Sequence, residues 1–348
     1  MPKFKEKIMN YKKFTSHQIS MKTKVKSIFF NKRHRQRGFG AGFIAEKIKE
    51  IRKIIGQERA ISVLSGGVDS STVTVLGYRA IGNQLKTVFI DNGLMRENEP
   101  ENIVKTFKKL GIKVEIIEAK DKFFRVLKGK IDPEEKRKAI SQVFYGDVFK
   151  EILKKNRIKF LLQGTNLTDI EETVAGIKFQ HNVLEQIGIS PEKEYGYKVI
   201  EPLIELRKNE IRKVAKLLGL PEIIQQRIPF PGPALAARVI GEVTQERIAI
   251  IRKATAIVEK ELKNSGAFQY FPVLMEDKAT GIKGGKREVG NIIMIRCIES
   301  IDARKATPTK LSWKILEKIT KRLTNEVPRV NRICYDITPK PPATIEYI

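Results

Sequence analysis

Ala60-Ile61-Ser62-Val63-Leu64-Ser65-Gly66-Gly67-Val68-Asp69-Ser70-Ser71 is the stretch from which the rest of the chain can be placed. Five mostly apolar residues break into a glycine pair, and a helical run follows from Thr72 to Ala80. A buried strand that passes through a tight turn into a helix N-terminus makes an anion site. Backbone N–H groups and the positive end of the helix dipole converge there. Gly66 and Gly67 let the backbone approach an anion where a β-carbon would clash. Ser65, Ser70 and Ser71 add hydroxyl donors and are candidates to cap the helix. The usual nucleotide loop, GxxxxGK followed by Ser or Thr, is excluded because no lysine stands in the turn.

The segment from Ser65 to Ser70 resembles the PP-loop of ATP pyrophosphatases, whose pattern is SGGxDS after the first strand. The resemblance implies a loop that grips the pyrophosphate end of ATP, with attack falling on the α-phosphate. A serine- and glycine-rich turn that binds nothing is the bland alternative, and the five specified positions matched in strand–turn–helix context weigh against it.

A length of 348 residues is enough for two domains with sizeable cores. The apolar fraction of 41% is ordinary, and no run reaches the length of a membrane span. The basic N-terminus is not followed by an apolar segment, so no secretory leader is expected. Cys297 and Cys334 fit no metal spacing and read as two buried thiols in a reducing cytoplasm. The net charge of +27 suits polyanionic substrates.

Much of that charge is local. Residues 1–37 hold 12 Lys/Arg against the single acid Glu6 and show no convincing periodicity. Residues 1–38 are therefore expected to be a disordered or weakly helical basic arm. A solvated extension is the simpler reading of such a run, and a weak nucleic-acid contact the sharper one. Beyond it, Ile44, Ile48, Ile51 and Ile55 recur at helical spacing. Strands are read at Leu85–Ile90, Val114–Ile117, Phe160–Gln163 and Val199–Leu203. Helices are read at Glu99–Leu110, from Asp132 to about Lys155, and at Asn209–Leu218. This alternation predicts an α/β class, a doubly wound and mostly parallel sheet. Ligands in such sheets bind beyond the carboxyl ends of the strands, where Asp91 and Gly164 stand.

Residues from about 165 to 198 are polar and poorly periodic, which predicts an irregular lid. Mg²⁺ takes carboxylates together with phosphate oxygens, so Asp69, Asp169 and Glu172 are the candidate metal ligands. Lys178 and His181 are placed to meet phosphate charge. For each lid residue taken alone, a solvated loop position is an equal alternative. Neither a helix nor a central strand tolerates Pro229-Phe230-Pro231-Gly232-Pro233. It divides a nucleotide domain, 39–228, from a second domain, 229–348. That second domain is expected to be small and α+β. It would have helices from Thr244 to about Lys263 and near Lys314–Leu323, the latter capped by Ser312. Strands are read at Tyr270–Leu274, Ile292–Ile298 and Arg332–Ile337. Lys283, Gly284, Gly285, Lys286 and Arg287 would form a phosphate-clamping loop within Lys278–Gly290.

Several further stretches carry a more specific resemblance. They are Val88 to Leu94, Gln163-Gly164-Thr165, Gln180-His181-Asn182-Val183, the Pro229–Pro233 motif, Arg238 to Thr244, and terminal Lys340-Pro341-Pro342-Ala343-Thr344-Ile345-Glu346. Together, over roughly residues 43–348, they resemble the GMP synthetase family in its archaeal form, where the ATP pyrophosphatase is a separate chain. The resemblance implies an adenine nucleotide α-hydrolase-like fold and a C-terminal domain that also forms a dimer. It implies adenylation of XMP by ATP with Mg²⁺, and displacement of AMP by ammonia to give GMP. Ser65, Gly66, Gly67, Val68, Asp69, Ser70 and Ser71, with Asp91 and Gly164, would hold ATP. Asp69, Lys178 and His181 would act in catalysis, and Lys340, Ile345 and Glu346 would contact XMP. A glutaminase needs a nucleophilic cysteine on a glycine-flanked elbow. Neither cysteine has one, so ammonia would come from a separate glutamine amidotransferase subunit. The family pattern is broken at Ala234, where glycine is common, and at Tyr347-Ile348, where Trp-Glu is usual. Two rivals stay open: another PP-loop pyrophosphatase that adenylates a different nucleotide or tRNA base, and a regulatory nucleotide-binding protein without turnover.

Overall fold

The structure is a computed structural model that describes residues 40–174, 192, 196–301 and 303–347, the side chains of 172–174 excepted. The first half is a five-stranded sheet of β1 (Ala60–Leu64), β2 (Leu85–Asp91), β3 (Val114–Glu118), β4 (Phe160–Leu162) and β5 (Lys198–Ile200). The strands lie in the order β3-β2-β1-β4-β5, and every pairing among them is parallel. β1 and β2 are buried along almost their whole length, as a parallel sheet covered on both faces requires. From β1 the chain winds one way to β2 and β3, then crosses back to β4 on the other side. The switch point between β1 and β4 opens the crevice where α/β folds take their ligands.

The helices of this half are α1 (Ala41–Ile55), α2 (Val68–Ile81), α3 (Glu99–Lys109), α4 (Lys120–Leu127), α5 (Pro133–Gln142), α6 (Lys150–Asn156), α7 (Leu167–Val174), α8 (Lys208–Leu217) and α9 (Glu222–Gln225). The run expected to be one helix from Asp132 to Lys155 is α5 and α6 joined through a π-helical segment, Val143–Phe149. The start of the expected irregular lid is instead α7. Asn166 caps it by accepting from the N–H groups of Thr168 and Asp169 at 3.0 and 3.2 Å. Two turns are too short to show a period, and that hid the helix.

The second half holds α10 (Gln245–Leu262), β6 (Gln269–Lys283), β7 (Lys286–Glu299), β8 (Thr307–Pro308), α11 (Trp313–Glu326) and β9 (Val330–Asp336). β7 pairs antiparallel with β6 and β8 and parallel with β9. The supposed clamp loop at 278–290 is the outer part of the β6–β7 hairpin, paired from Lys278↔Asn291 to Lys283↔Lys286. Gly284 and Gly285, at φ 56° and 75°, make its two-residue turn, which needs positive φ at both positions. The ribbon's charged residues mask the alternation that marks a strand. Cys297 is buried as expected, whereas Cys334 is only half-buried.

One apolar cluster runs through both halves, from Ile44 and Phe89 to Leu235, Val239, Ile251 and Val330. A second, smaller one gathers Phe271, Val273, Ile298, Ala306 and Ile345 beneath the C-terminal tail. No helix among the described residues is long and apolar enough to cross a membrane.

Candidate active site

The phosphate loop sits at the switch point. Gly67 opens α2 with φ −77° and ψ 159° and no side-chain cap. The serines expected to cap the helix turn to each other and to the loop backbone instead. Ser65 and Ser70 hydroxyls lie 3.0 Å apart, and Ser70 Oγ accepts from the Ser65 N–H at 3.2 Å and donates to the Gly67 carbonyl at 3.2 Å. Ser71 Oγ is buried and has no partner among the described residues. Gly66 is at φ 77°. A β-carbon there would stand 2.2 Å from Arg227 Nη1 and 2.5 Å from Glu99 Oε1. Gly164 follows β4 and presses on the start of α2, where a β-carbon would meet the Asp69 carbonyl carbon at 2.9 Å. Its contribution in this structure is close packing of the two loops. Val68 is buried in the core beneath them.

Asp69, in the first turn of α2, points one oxygen at a hydrogen-bonded cluster and leaves the other bare. Oδ2 accepts from Lys208 Nζ, and from Asn166 Nδ2 at 3.3 Å. Oδ1 is buried without a partner among the described residues. Asp169 lies one link away, its Oδ2 accepting from the Asn166 N–H at 3.2 Å. Glu172 belongs to α7, but its side chain falls outside the described residues, as do Lys178 and His181. Lys208 and Asn166 were missed in the sequence reading. Their signal was positional: each begins or caps the helix that follows a sheet strand, at the same edge as the loop.

Asp91 closes β2. Its Oδ1 accepts from the Gly93 N–H at 2.9 Å and its Oδ2 pairs with Lys120 at 3.0 Å, which holds the lysine's pKa above its ordinary value. Arg252 of α10 donates to the carbonyls of Gly93 and Met95 at 2.5 and 2.8 Å, tying this turn to the second half. Next to it, Arg96 Nε donates to Glu259 at 2.7 Å while its guanidinium stacks 3.9 Å from the centre of the Phe230 ring. Both Arg96 Nη atoms are buried without a partner among the described residues. Across the same ring, at 5.0 Å, lies Arg238, fully buried, with Nη1 likewise unpartnered among the described residues.

Arg238 leads to the tail. Its Nη2 donates to Glu346 at 3.1 Å, and Gln269 Nε2 donates to the same carboxylate at 2.7 Å. Lys340 Nζ donates to the Ala303 carbonyl at 2.8 Å, and the Ile345 side chain belongs to the second apolar cluster. Buried Arg296 anchors the whole segment. It donates to the carbonyls of Ile345, Thr344 and Thr338 at 3.1, 2.8 and 2.8 Å, and to Asp336 at 2.7 Å.

Residues 42–235 match the NAD synthase family and residues 256–347 match the GMP synthase C-terminal domain. A curated relative, a subunit of the glutamine-hydrolyzing GMP synthase of Thermococcus kodakarensis, is 49% identical over 308 residues, 88% of this chain and 98% of its own length. This chain belongs to that family of GMP synthase subunits. The equivalent proteins of Methanopyrus kandleri and Methanocaldococcus jannaschii are each 48% identical, over 313 and 310 residues, again 88% of this chain and 98% of theirs. The family thus spans both sheets, the phosphate loop and the tail. The residues that sequence alone assigned to ATP and to the tail lie within one continuous GMP synthase chain.

Proposed function

We infer that this chain is the ATP pyrophosphatase subunit of a GMP synthase, a ligase that converts XMP to GMP. The C2 oxygen of XMP attacks the α-phosphate of ATP and pyrophosphate leaves. Ammonia then adds at C2 and AMP departs. The ammonia comes from a separate glutamine amidotransferase subunit. The observation that carries this reading is a phosphate loop with unfilled buried groups, Ser71 Oγ and Asp69 Oδ1, in a chain of that family.

In this reading Ser65–Ser71 cradle the phosphates with backbone N–H groups and the α2 dipole, which stabilises charge as it builds on the α-phosphate and pyrophosphate. The bare, buried Oδ1 of Asp69 fits a cation, because a carboxylate oxygen out of water needs a positive partner. Asp69, with Asp169 and Glu172 of α7, would hold Mg²⁺. Bound there, the ion would neutralise phosphate charge. Asp91 shapes the turn at the edge of the ATP site. Lys178 and His181 would come from the lid to meet phosphate, and the lid, about 165–198, would keep water from the adenylate. Lys340, Ile345 and Glu346, with the guanidinium nitrogens of Arg96 and Arg238 that have no partner among the described residues, would take XMP on the tail side.

The same reading assigns 39–228 to ATP and 229–348 to XMP binding and homodimer formation. It leaves 1–38 as a basic arm with at most a weak nucleic-acid contact, and it places the protein in the cytoplasm. Incubating the chain with XMP, ATP, Mg²⁺ and ammonia should release pyrophosphate and GMP in equal amounts. Pyrophosphate release that does not depend on XMP, or no GMP, would overturn the assignment.

A further inference from the structure

Behind the phosphate loop lies an ion pair that the proposed chemistry does not use. Glu99, the first residue of α3, is only 3% exposed. Its Oε1 accepts from Arg227 Nη2 at 2.5 Å and its Oε2 accepts from the Arg96 N–H at 3.2 Å. Arg227 Nη1 donates to the Gly66 carbonyl at 2.7 Å. We propose that the Glu99–Arg227 pair is a positioning device that sets the phosphate loop and makes its grip on ATP depend on the nucleotide at the tail side.

The first half of the proposal is geometric. A peptide unit is planar and trans, so its carbonyl and the following N–H point in opposite directions. Drawing the Gly66 carbonyl toward Arg227 turns the Gly67 N–H away from it, to the side of Ser65, whose Oγ accepts from that N–H at 3.4 Å. Gly66 has no β-carbon to obstruct this, and the pair is packed against that bare backbone. Arg227 sits two residues before Pro229, so the chain segment that enters the second half also sets the loop of the first.

The second half is continuity. The carboxylate that orients Arg227 also receives the backbone N–H of Arg96. The Arg96 guanidinium, with two buried nitrogens that have no partner among the described residues, stacks on Phe230. Arg238 shares that ring and holds Glu346 of the tail. An anionic or carbonyl-bearing ligand that engages those nitrogens acts on Arg96, and so on the position of Glu99. A buried charge is sensitive to such a shift because the low-dielectric surroundings screen it poorly.

The proposal rests on the reading that XMP lies on the tail side, and the test separates the two. The affinity of full-length protein for α,β-methylene-ATP with Mg²⁺ is measured by calorimetry with and without saturating XMP, beside the GMP assay. In the unaltered protein XMP should tighten the analogue by about 5-fold or more, the usual range for linked sites. Glu99→Gln keeps the shape but loses the charge, and should bring that factor below about 2-fold while melting close to the unaltered protein. Arg227→Lys has a point charge in place of a two-armed fork. It should retain either the analogue affinity or the XMP effect, but not both. Full coupling in the folded variants, no coupling in the unaltered protein, or loss of folding in both variants would overturn the pair's positioning role. Absence of GMP formation by the unaltered protein would instead overturn the XMP reading.

Discussion

Asp69 has one oxygen bound to Lys208 and Asn166 and one that is buried without a partner among the described residues. That asymmetry makes Asp69→Asn informative. The amide keeps the shape but cannot neutralise a cation, so pyrophosphate release should fall by about 10²-fold or more with the melting temperature little changed. Turnover near that of the unaltered protein would remove the cation role. A second residue carries a pH signature. Lys136 of α5 is fully buried, donates to the Val239 carbonyl at 2.9 Å, and faces Arg247 and Glu276, with Asp132 on its own turn. Burial, helped by Arg247, lowers its pKa from 10.5 to about 8. The unfolded chain therefore binds more protons between about pH 8 and pH 10.5, and stability attributable to this lysine rises across that window. Against Lys136→Met, the unaltered protein should gain about 1–3 kcal/mol over the window in urea denaturation. The serines and Asp69 were legible in the sequence because the loop is one contiguous motif. Lys208, Arg227 and Glu99 were not, since each reaches the loop only after the chain has folded.

Among elements, the tail shows how a segment with no regular structure can still be fixed. Arg296 contributes four hydrogen bonds to it and to Asp336, and Tyr347 donates to the same aspartate at 2.7 Å. Among the described residues Lys340 is held by the Ala303 carbonyl and not by a carboxylate, which leaves its ammonium charge to attract an anion. Lys340→Ala should raise the Michaelis constant for XMP much more than that for ATP. Equal shifts, or none, would make the lysine a purely structural tether. Alternating strands and helices in the first half were readable because each strand is a short apolar run. The outer part of the β6–β7 ribbon was not, because its residues are mostly exposed and carry charge. The sequence marked Ala234 as a departure from a common glycine. It is buried at φ 55°, a conformation that costs an alanine about 1–2 kcal/mol, which gives the commoner residue a physical reason.

At the scale of the molecule, much of the +27 charge is concentrated in residues 1–37, ahead of every element described. Removing residues 1–37 should leave ammonia-dependent GMP synthesis within a few-fold. It should also weaken retention on immobilised DNA at low salt, as fewer phosphates are neutralised. A large loss of synthesis by a folded, truncated protein would give the arm a part in the reaction.

The shared apolar cluster has a consequence for how the two halves come apart. Leu235 and Val239 from one side of the proline-rich turn are buried with Phe89 and Val88 from the other, and Leu235 donates its N–H to the Leu94 carbonyl at 2.9 Å. Neither sheet can lose its structure without exposing apolar surface of its neighbour. Calorimetry should accordingly record a single cooperative transition, not two, and a chain cut after residue 228 should yield fragments that hold together or precipitate rather than two independent folding units.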